Sequence, residues 1–292
     1  MRVTQSILSG NMLKNIHQNY QRLGKVQEQL STGKKITRPS DDPVIAVKGM
    51  NYRTNLTEVE QYERNLGEVY NWLENSEDAL EKSSDVLQRV RELVVQASND
   101  TYDEKQRNSI AQEVSQLKEQ LLSIANTKVG GKYIFNGTNT QEERITNGVI
   151  DSSKTGKAVM LEISKGINIQ ANVDPDKVFN DDLINTLTLL VTDLQDPNSN
   201  NQSFQDDLTK LDQTLDTFND ERSELGAKYN RIELVEYRLS EQVVNTKKMI
   251  SDNEDIDYEK AILDLKIQES IHRAALDTGA RIIQPSLVDF LR

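Results

Sequence analysis

The chain has 292 residues, of which 36% are hydrophobic, 5% aromatic and 28% charged, and its formal net charge at pH 7 is −12. This composition is too polar for one thick globular core, and the excess of acids disfavours general binding to nucleic acid, whose phosphates need a basic surface. The absence of Cys excludes a disulfide framework and Cys-based metal or nucleophile chemistry. Long, thin helical layers fit these bounds best.

No apolar run approaches the ~20 residues needed to cross a bilayer, and the start lacks an apolar core followed by a small-residue cleavage site. We therefore expect no membrane contact and no Sec-type signal peptide. Charge is unevenly placed, since Glu28 is the only acid up to residue 40, against seven bases. That basic end is either a solvated helix face or a surface that steers head-to-tail association with the acidic remainder.

The first segment carries a narrow apolar stripe, which predicts a helix that buries one partner helix rather than a domain core. The residues of this stripe are Ile7, Leu13, Ile16, Tyr20, Leu23 and Leu30.

Residues 30–47 then form a polar hinge, because Gly33, Pro39 and Pro43 cannot all lie inside one helix. Asp41 and Asp42 are interpreted as an N-cap pair for the helix that follows, rather than as a metal site.

A strict seven-residue repeat follows the hinge and predicts a supercoiled helix of roughly 80 Å. Its positions are Ile45, Tyr52, Val59, Leu66, Leu73, Leu80, Leu87 and Val94. A turn near Asn99 and a capping box from Thr101 to Glu104 predict the start of another helix, which ends at Gly130 and Gly131.

The apolar period changes to two between residues 130 and 173, a stretch rich in glycine. Strands are predicted at residues 132–137, 159–163 and 167–173, which indicates a modest antiparallel sheet inserted into the helical body. A short helix near residues 183–194 precedes a second long heptad, which can pair antiparallel with the first. The heptad positions are Phe204, Leu211, Phe218, Leu225, Ile232 and Leu239.

A polar break at residues 251–253 precedes a final helix, which should pair with the first segment to form an inner layer. Its apolar residues are Leu263, Ile267 and Ile271, continued near the end by Leu287, Phe290 and Leu291.

The predicted fold is mainly α, with elongated antiparallel heptad helices forming a rod, paired terminal helices and a small inserted β-rich domain. Its segments are an N-terminal helix and hinge at 1–43, a first rod half at 44–131, a β-rich outer domain at 132–178, a second rod half at 179–252 and a C-terminal helix at 253–292.

Catalytic chemistry is not indicated. His17 and His272 are the only histidines, and the sequence has neither a zinc-peptidase motif nor a glycine-rich phosphate loop. The carboxylates lie opposite the apolar stripes and are interpreted as solvated surface. We therefore expect no enzyme activity, no cofactor and no metal.

Several motifs resemble the bacterial flagellin superfamily. Residues 30–36 read Leu-Ser-Thr-Gly-Lys-Lys-Ile, residues 39–43 read Pro-Ser-Asp-Asp-Pro, and residues 87–93 read Leu-Gln-Arg-Val-Arg-Glu-Leu. Residues 132–138 are similar to the strand that opens the outer domain of this group, and residues 267–270 to its C-terminal helix. The amino-acid sequence of the hinge is the specific part of the resemblance, because heptad repeats alone occur in many rod-like proteins.

Within the superfamily, the opening at residues 1–6 and the ending at residues 284–291 resemble the proteins of the hook-filament junction more than flagellin itself. The resemblance implies a structural subunit of the extracellular flagellum, exported by the flagellar type III apparatus. It implies contact with hook-associated protein FlgK, with flagellin, with the export chaperone FlgN and with further copies in a ring. A short flagellin is the alternative, and a coiled-coil rod unrelated to flagella is a third.

An isolated helix with a narrow apolar stripe is marginally stable in water, because packing supplies most helical stability. We therefore expect residues 1 to about 40 and 255–292 to be mobile in the free monomer and to pair on assembly.

Overall fold

In a computed structural model, the structure describes residues 5–98, 103–146, 148–150, 156–196, 199 and 201–283. Seven helices occur in these ranges: α1 (Gln5–Thr32), α2 (Pro43–Ala97), α3 (Glu104–Ala125), α4 (Pro175–Val178), α5 (Asp181–Gln195), α6 (Asn201–Glu254) and α7 (Tyr258–Ile283). The six short strands are β1 (Lys128–Val129), β2 (Lys132–Tyr133), β3 (Ile145–Thr146), β4 (Val149–Ile150), β5 (Met160–Ser164) and β6 (Ile167–Gln170). The predicted mainly α fold with a small β insert is confirmed.

The chain divides into two compact units. Met1–Glu58 with Gln242–Arg292 form the first, called here the terminal unit, and Val59–Glu241 form the second, called the central unit. Each unit is described separately below. The five segments predicted from the sequence stay predictions.

The residues at the predicted heptad positions of α2 and α6 lie in the core of the central unit. From Val59 onward every residue of the predicted seven-residue repeat of α2 is buried, and so is every predicted heptad position of α6. These side chains are Val59, Leu66, Leu73, Leu80, Leu87 and Val94 on α2, and Phe204, Leu211, Phe218, Leu225, Ile232 and Leu239 on α6. The seven-residue spacing therefore identified the buried face of both helices.

Side-chain hydrogen bonds between α2 and α6 show that the two helices are antiparallel within the central unit. Tyr70 donates to Glu236 at 2.8 Å, and Arg222 donates to Glu77 at 2.7 Å. Further along α2, Arg91 donates to Asp212 at 2.6 Å. Because the α6 partner moves backwards as the α2 residue advances, the chains of the two helices run in opposite directions. α3 and α5 pack against each other in the same unit.

The start of α3 corrects one local prediction. The helix begins at Glu104, and Asp103 is its N-cap, with the backbone N–H of Asp103 donating to Oε1 of Gln106 at 3.0 Å. The predicted cap at Thr101 lies outside the described residues. Asp at the N-cap and Gln three residues later satisfy the same free backbone groups as the predicted Thr and Glu, which explains the shift of two residues.

The β insert also differs from its prediction. Instead of one sheet it contains three separate antiparallel pairs, β1 with β2, β3 with β4 and β5 with β6. The strands are only two to five residues long, so each pair offers few free backbone groups to a third strand. An aromatic contact joins the insert to α6, because Phe179 lies edge-on to Phe135 at 4.8 Å and to Phe218 at 5.7 Å.

A buried carboxyl on α6 gives the central unit a pH dependence. Asp207 is 3% exposed, and its Oδ1 lies 3.8 Å from Nζ of Lys210. Burial, followed by the nearby Asp193 carboxylate, raises the pKa of Asp207 to about 6. The native state therefore keeps a proton that the unfolded state releases at lower pH, so the free energy of unfolding falls as the pH rises from about 4 to about 6.

We expect Asp207→Asn to raise the free energy of unfolding at pH 7 by up to about 3 kcal/mol, since two pKa units correspond to that amount. The gain should shrink as the pH falls below 6 and vanish near pH 3, below the ordinary pKa of 3.8, where the wild-type carboxyl is protonated in both states. Urea unfolding followed by circular dichroism at several pH values measures it. Asp216→Asn, at an exposed position, is the matched control. An equal gain at pH 4 and pH 7 would contradict the account.

Candidate assembly surfaces

The terminal unit contains a pair of helices, α1 and α7, which contact each other along their length. The rings of Tyr20 and His272 lie 6.0 Å apart between centroids. Gly279 lies against the Met12 side chain so closely that a Cβ at this position would collide with it. The pairing of the terminal segments therefore depends on close helix contact.

Most of the predicted stripe nevertheless remains in solvent. Leu13 is 58% exposed, Tyr20 64% and Leu263 59%. Ile7, Ile267 and Ile271 are also exposed, whereas Ile16, Leu23 and Leu30 are half-buried. Leu287, Phe290 and Leu291 lie outside the described residues. The structure thus brings the two predicted helices together and leaves an apolar face on the pair.

The terminal unit has almost no core of its own. Among the side chains that the structure describes in this unit, Ala261 is the one apolar residue that is buried. Burial of apolar area is the main favourable term in folding, at about 25 cal/mol per Å². A unit that buries so little has apolar surface available for a further chain.

The predicted hinge connects α1 to α2 through a set of local bonds. Gly33 follows α1 with a positive φ of 70°, and a side chain there would meet the hydroxyl of Tyr258. Asp42 caps α2 by accepting from the backbone N–H of Val44 at 3.0 Å and of Ile45 at 3.2 Å.

The remaining predicted hinge residues have different roles. Asp41 does not cap α2, in contrast to the predicted N-cap pair, because it accepts instead from the N–H groups of Arg38 and Thr37. These bonds, that to Arg38 first, lower the pKa of Asp41. Pro43 is the first residue of α2, where its missing N–H is harmless, and Pro39 is exposed.

Glu254, at the end of α6, connects the hinge to the segment between α6 and α7. The sequence analysis did not identify this residue. Its side chain is buried and accepts from Arg53, and its backbone C=O accepts from the N–H of Lys35 at 2.6 Å. The N–H of Ile256 donates to the C=O of Gly33 at 2.9 Å, so the two segments form a short antiparallel bridge. Gly49 makes room for this carboxylate, since a Cβ at Gly49 would collide with Oε1 of Glu254.

Charges strengthen the bridge. Nζ of Lys34 lies 2.5 Å from Asp255 and 3.7 Å from Glu254. Lys34, followed by the Ser251 hydroxyl, lowers the pKa of Asp255. The stabilisation from this carboxylate is present above its unfolded pKa and is lost as the pH falls through the folded value.

The described residues contain no group of three or more His, Asp or Glu side chains that could hold a metal ion. Of the helices that the structure describes, none is both long and apolar enough to cross a membrane.

These features define a class of mainly helical chains in which the two sequence ends pair, present an apolar face and carry a small β insert between two long heptad helices. Comparison with known proteins identifies the family. The model of the bacterial flagellin N-terminal helical region matches residues 3–140, and that of the C-terminal helical region matches residues 208–291.

The similar proteins include filament and hook-associated chains. The flagellar filament 31.3 kDa core protein of Treponema maltophilum is 30% identical over 82% of this chain and 81% of its own length. Flagellar hook-associated protein 3 of Escherichia coli is 25% identical over 94% of this chain and 95% of its own. The crystal structure of Bacillus cereus FlgL superposes with a TM-score of 0.59 at 27% identity, covering 69% of this chain and 99% of that one.

The chain belongs to the bacterial flagellin family and is a structural component of the flagellum that resembles hook-associated protein 3. The resemblance stated from the sequence motifs is confirmed.

Proposed function

We propose that this chain forms the junction between hook-associated protein FlgK and the flagellin filament, as one of several copies in a ring outside the cell. The exposed apolar face of α1 and α7 carries the proposal, because the terminal unit buries only Ala261 among its described apolar side chains. Neighbouring subunits would cover this face and supply the missing burial. We infer a role without catalysis, in line with a family of flagellar structural proteins.

The similarity to hook-associated protein 3 over almost the whole of both chains supports the junction. A short flagellin is the second candidate, and the 30% identity to a filament core protein favours it. Deleting the gene separates the two. Complete hooks with flagellin lost to the medium are expected for the junction protein. Loss of the filament protein itself would indicate flagellin, and normal motility would contradict both.

Hydrogen exchange on the purified monomer is expected to show weak protection in residues 5 to about 40 and 255–283 and strong protection in the central unit. The reason is that helices without a buried face open locally at little free-energy cost. The buried heptad of α2 from Val59 onward is the internal reference. Protection at both ends equal to that of this heptad would contradict completion by assembly.

We further propose export by the flagellar type III apparatus with the chaperone FlgN covering α7. Leu263, Ile267 and Ile271 are spaced four residues apart and exposed, so they offer one apolar face to a groove. Deleting residues 263–292 is expected to abolish FlgN binding in isothermal titration, whereas a charge change at exposed Lys266 should not. Unchanged affinity of the truncated chain would refute the assignment.

A further inference from the structure

A groove on the surface of the central unit has no role in the functions described above. It lies between α2 and α6, and its volume is about 450 Å³. Leu73 and Leu225 form an apolar floor, and Tyr229, which is 41% exposed, forms one wall. Gly226 lines the groove on α6, and a Cβ added there would meet no atom within 4 Å.

Carboxylates form the rim of this groove. Glu74, Glu77, Asp78 and Glu81 all line it, and Arg222 is the one cation among the lining residues. Arg222 is bound to Glu77 at 2.7 Å, and Asp78 is bound to Lys82 at 2.6 Å. Glu74 forms no ion pair with a described residue. The rim therefore keeps an excess of negative charge after its internal pairs are counted.

The acids continue along α2 as one stripe. Glu74, Asp78, Glu81 and Asp85 are spaced by four, three and four residues, which places them on one face of the helix over about 16 Å. This set is called the acidic α2 stripe. Both Glu81 and Asp85, after the direct bond to Glu77, contribute to raising the pKa of Arg222.

An apolar floor, a half-exposed tyrosine and a carboxylate rim together fit a long cationic side chain. The aliphatic stem of Lys or Arg packs on leucine, its head reaches the carboxylates, and the tyrosine face attracts the cation. Gly226 is unfavourable inside a helix by about 1 kcal/mol relative to Ala, and no atom of a described residue lies within 4 Å of the position its Cβ would take. The open space allows another backbone to approach closely.

The chain itself carries the complementary surface. Lys14, Arg22 and Lys25 lie within about 80° of one another on α1, and all three are exposed. None of the three forms an ion pair with a described residue. Lys14 and Lys25 are eleven residues apart, which is also the separation of Glu74 and Asp85 at the ends of the acidic α2 stripe. These three cations are called the basic α1 face.

We propose that the groove and the acidic α2 stripe bind the basic α1 face of a second copy of this chain. The contact is an interface of the central unit of one copy with α1 of another, and it gives the uneven charge of the sequence a function. It deepens the proposed ring and rests on that function.

Sedimentation velocity of the full chain at low and high salt tests the contact. One variant reverses the basic α1 face, with Lys14→Glu, Arg22→Glu and Lys25→Glu. The other reverses the stripe, with Glu74→Lys, Asp78→Lys and Glu81→Lys. We expect wild-type association at low salt, at least tenfold weaker association of each variant alone, and recovery when the two are mixed, because one copy then supplies each wild-type surface.

A control with Lys247→Glu, Lys248→Glu and Lys266→Glu changes the net charge by the same amount as the reversal of the basic α1 face, at exposed residues elsewhere, and should associate as the wild type does. A monomeric wild type at low salt, variants that associate normally, or a mixture that fails to recover would each overturn the contact. If the association tests fail but the wild-type chain localises to the junction in cells, this inference alone is overturned. If the mixed variants recover association as expected but the wild-type chain is not found at the junction, the proposed function alone is overturned.

Discussion

Gly137→Ala is expected to destabilise the central unit by roughly 3 kcal/mol or more, because two independent strains add at this position. Gly137 has a φ of +56°, in the region that L side chains avoid. A Cβ there would also lie 2.5 Å from the carbonyl oxygens of Gly156 and Lys157, which are backbone atoms and cannot rotate away.

The contact between residues 136–138 and residues 156–157 joins two segments of the β insert. The N–H of Thr138 donates to the C=O of Lys157 at 2.9 Å, and the N–H of Gly156 donates to the C=O of Asn136 at 3.2 Å. Opening the crossing would disturb the adjacent Phe135, which is fully buried against Phe179. The loss should therefore spread from the insert into the contact with α6.

Gly130→Ala is the matched control for this substitution. Gly130 has nearly the same φ, +58°, but a Cβ there meets nothing within 4 Å. Its cost should be limited to the backbone strain, about 1 kcal/mol. Urea denaturation of both variants measures the difference. Equal destabilisation of the two would show that the close crossing contributes nothing.

Leu263→Glu combined with Ile267→Glu is expected to abolish incorporation into flagella without unfolding the monomer. Both side chains are exposed in the single chain, at 59% and 45%, so the charges remain hydrated before assembly. In the assembled state the variant would lose the burial of two large apolar side chains, about 1.5–3 kcal/mol each, and would bury carboxylates without partners. Incorporation should fall by at least 100-fold.

The control for this pair is Lys266→Glu with Glu269→Lys, which changes charges on exposed positions of the same helix without touching the apolar face. Incorporation is scored by immunoblotting of sheared flagella, and monomer folding by thermal unfolding. Normal incorporation of the apolar-face variant would remove this face from the assembly interface.

The heptad helices could be predicted from the sequence because their burial repeats every seven residues. Polar side chains also occur in the core of α2, where the structure buries Ser76 and Ser83 fully, and the Ser83 hydroxyl donates to the C=O of Ala79. A hydroxyl that bonds within its own helix can occupy a core position. The sequence alone could not distinguish a buried serine of this kind from a serine that interrupts the buried face of the helix.

The hinge was only partly predictable. Its glycine and prolines mark a break by local backbone rules, and Asp42 caps α2 as expected. Glu254 was missed because its partners, Arg53 and Lys35, are about two hundred residues away in the chain, and one sequence carries no signal for such pairing. The requirement for glycine at position 49 could not be predicted for the same reason, because the side chain that leaves no room for a Cβ there is that of Glu254.

Labelling an epitope-tagged copy with antibody and gold on intact flagella tests the central claim most directly. The tag is placed between Gly148 and Val149, at the start of β4, where Val149 is 66% exposed and a Cβ at Gly148 would meet, among the described atoms, one side-chain carbon of Leu122 at 4.0 Å. The account predicts one band of gold at the boundary between hook and filament. Label distributed along the filament, or confined to the cell body in motile cells, would contradict it.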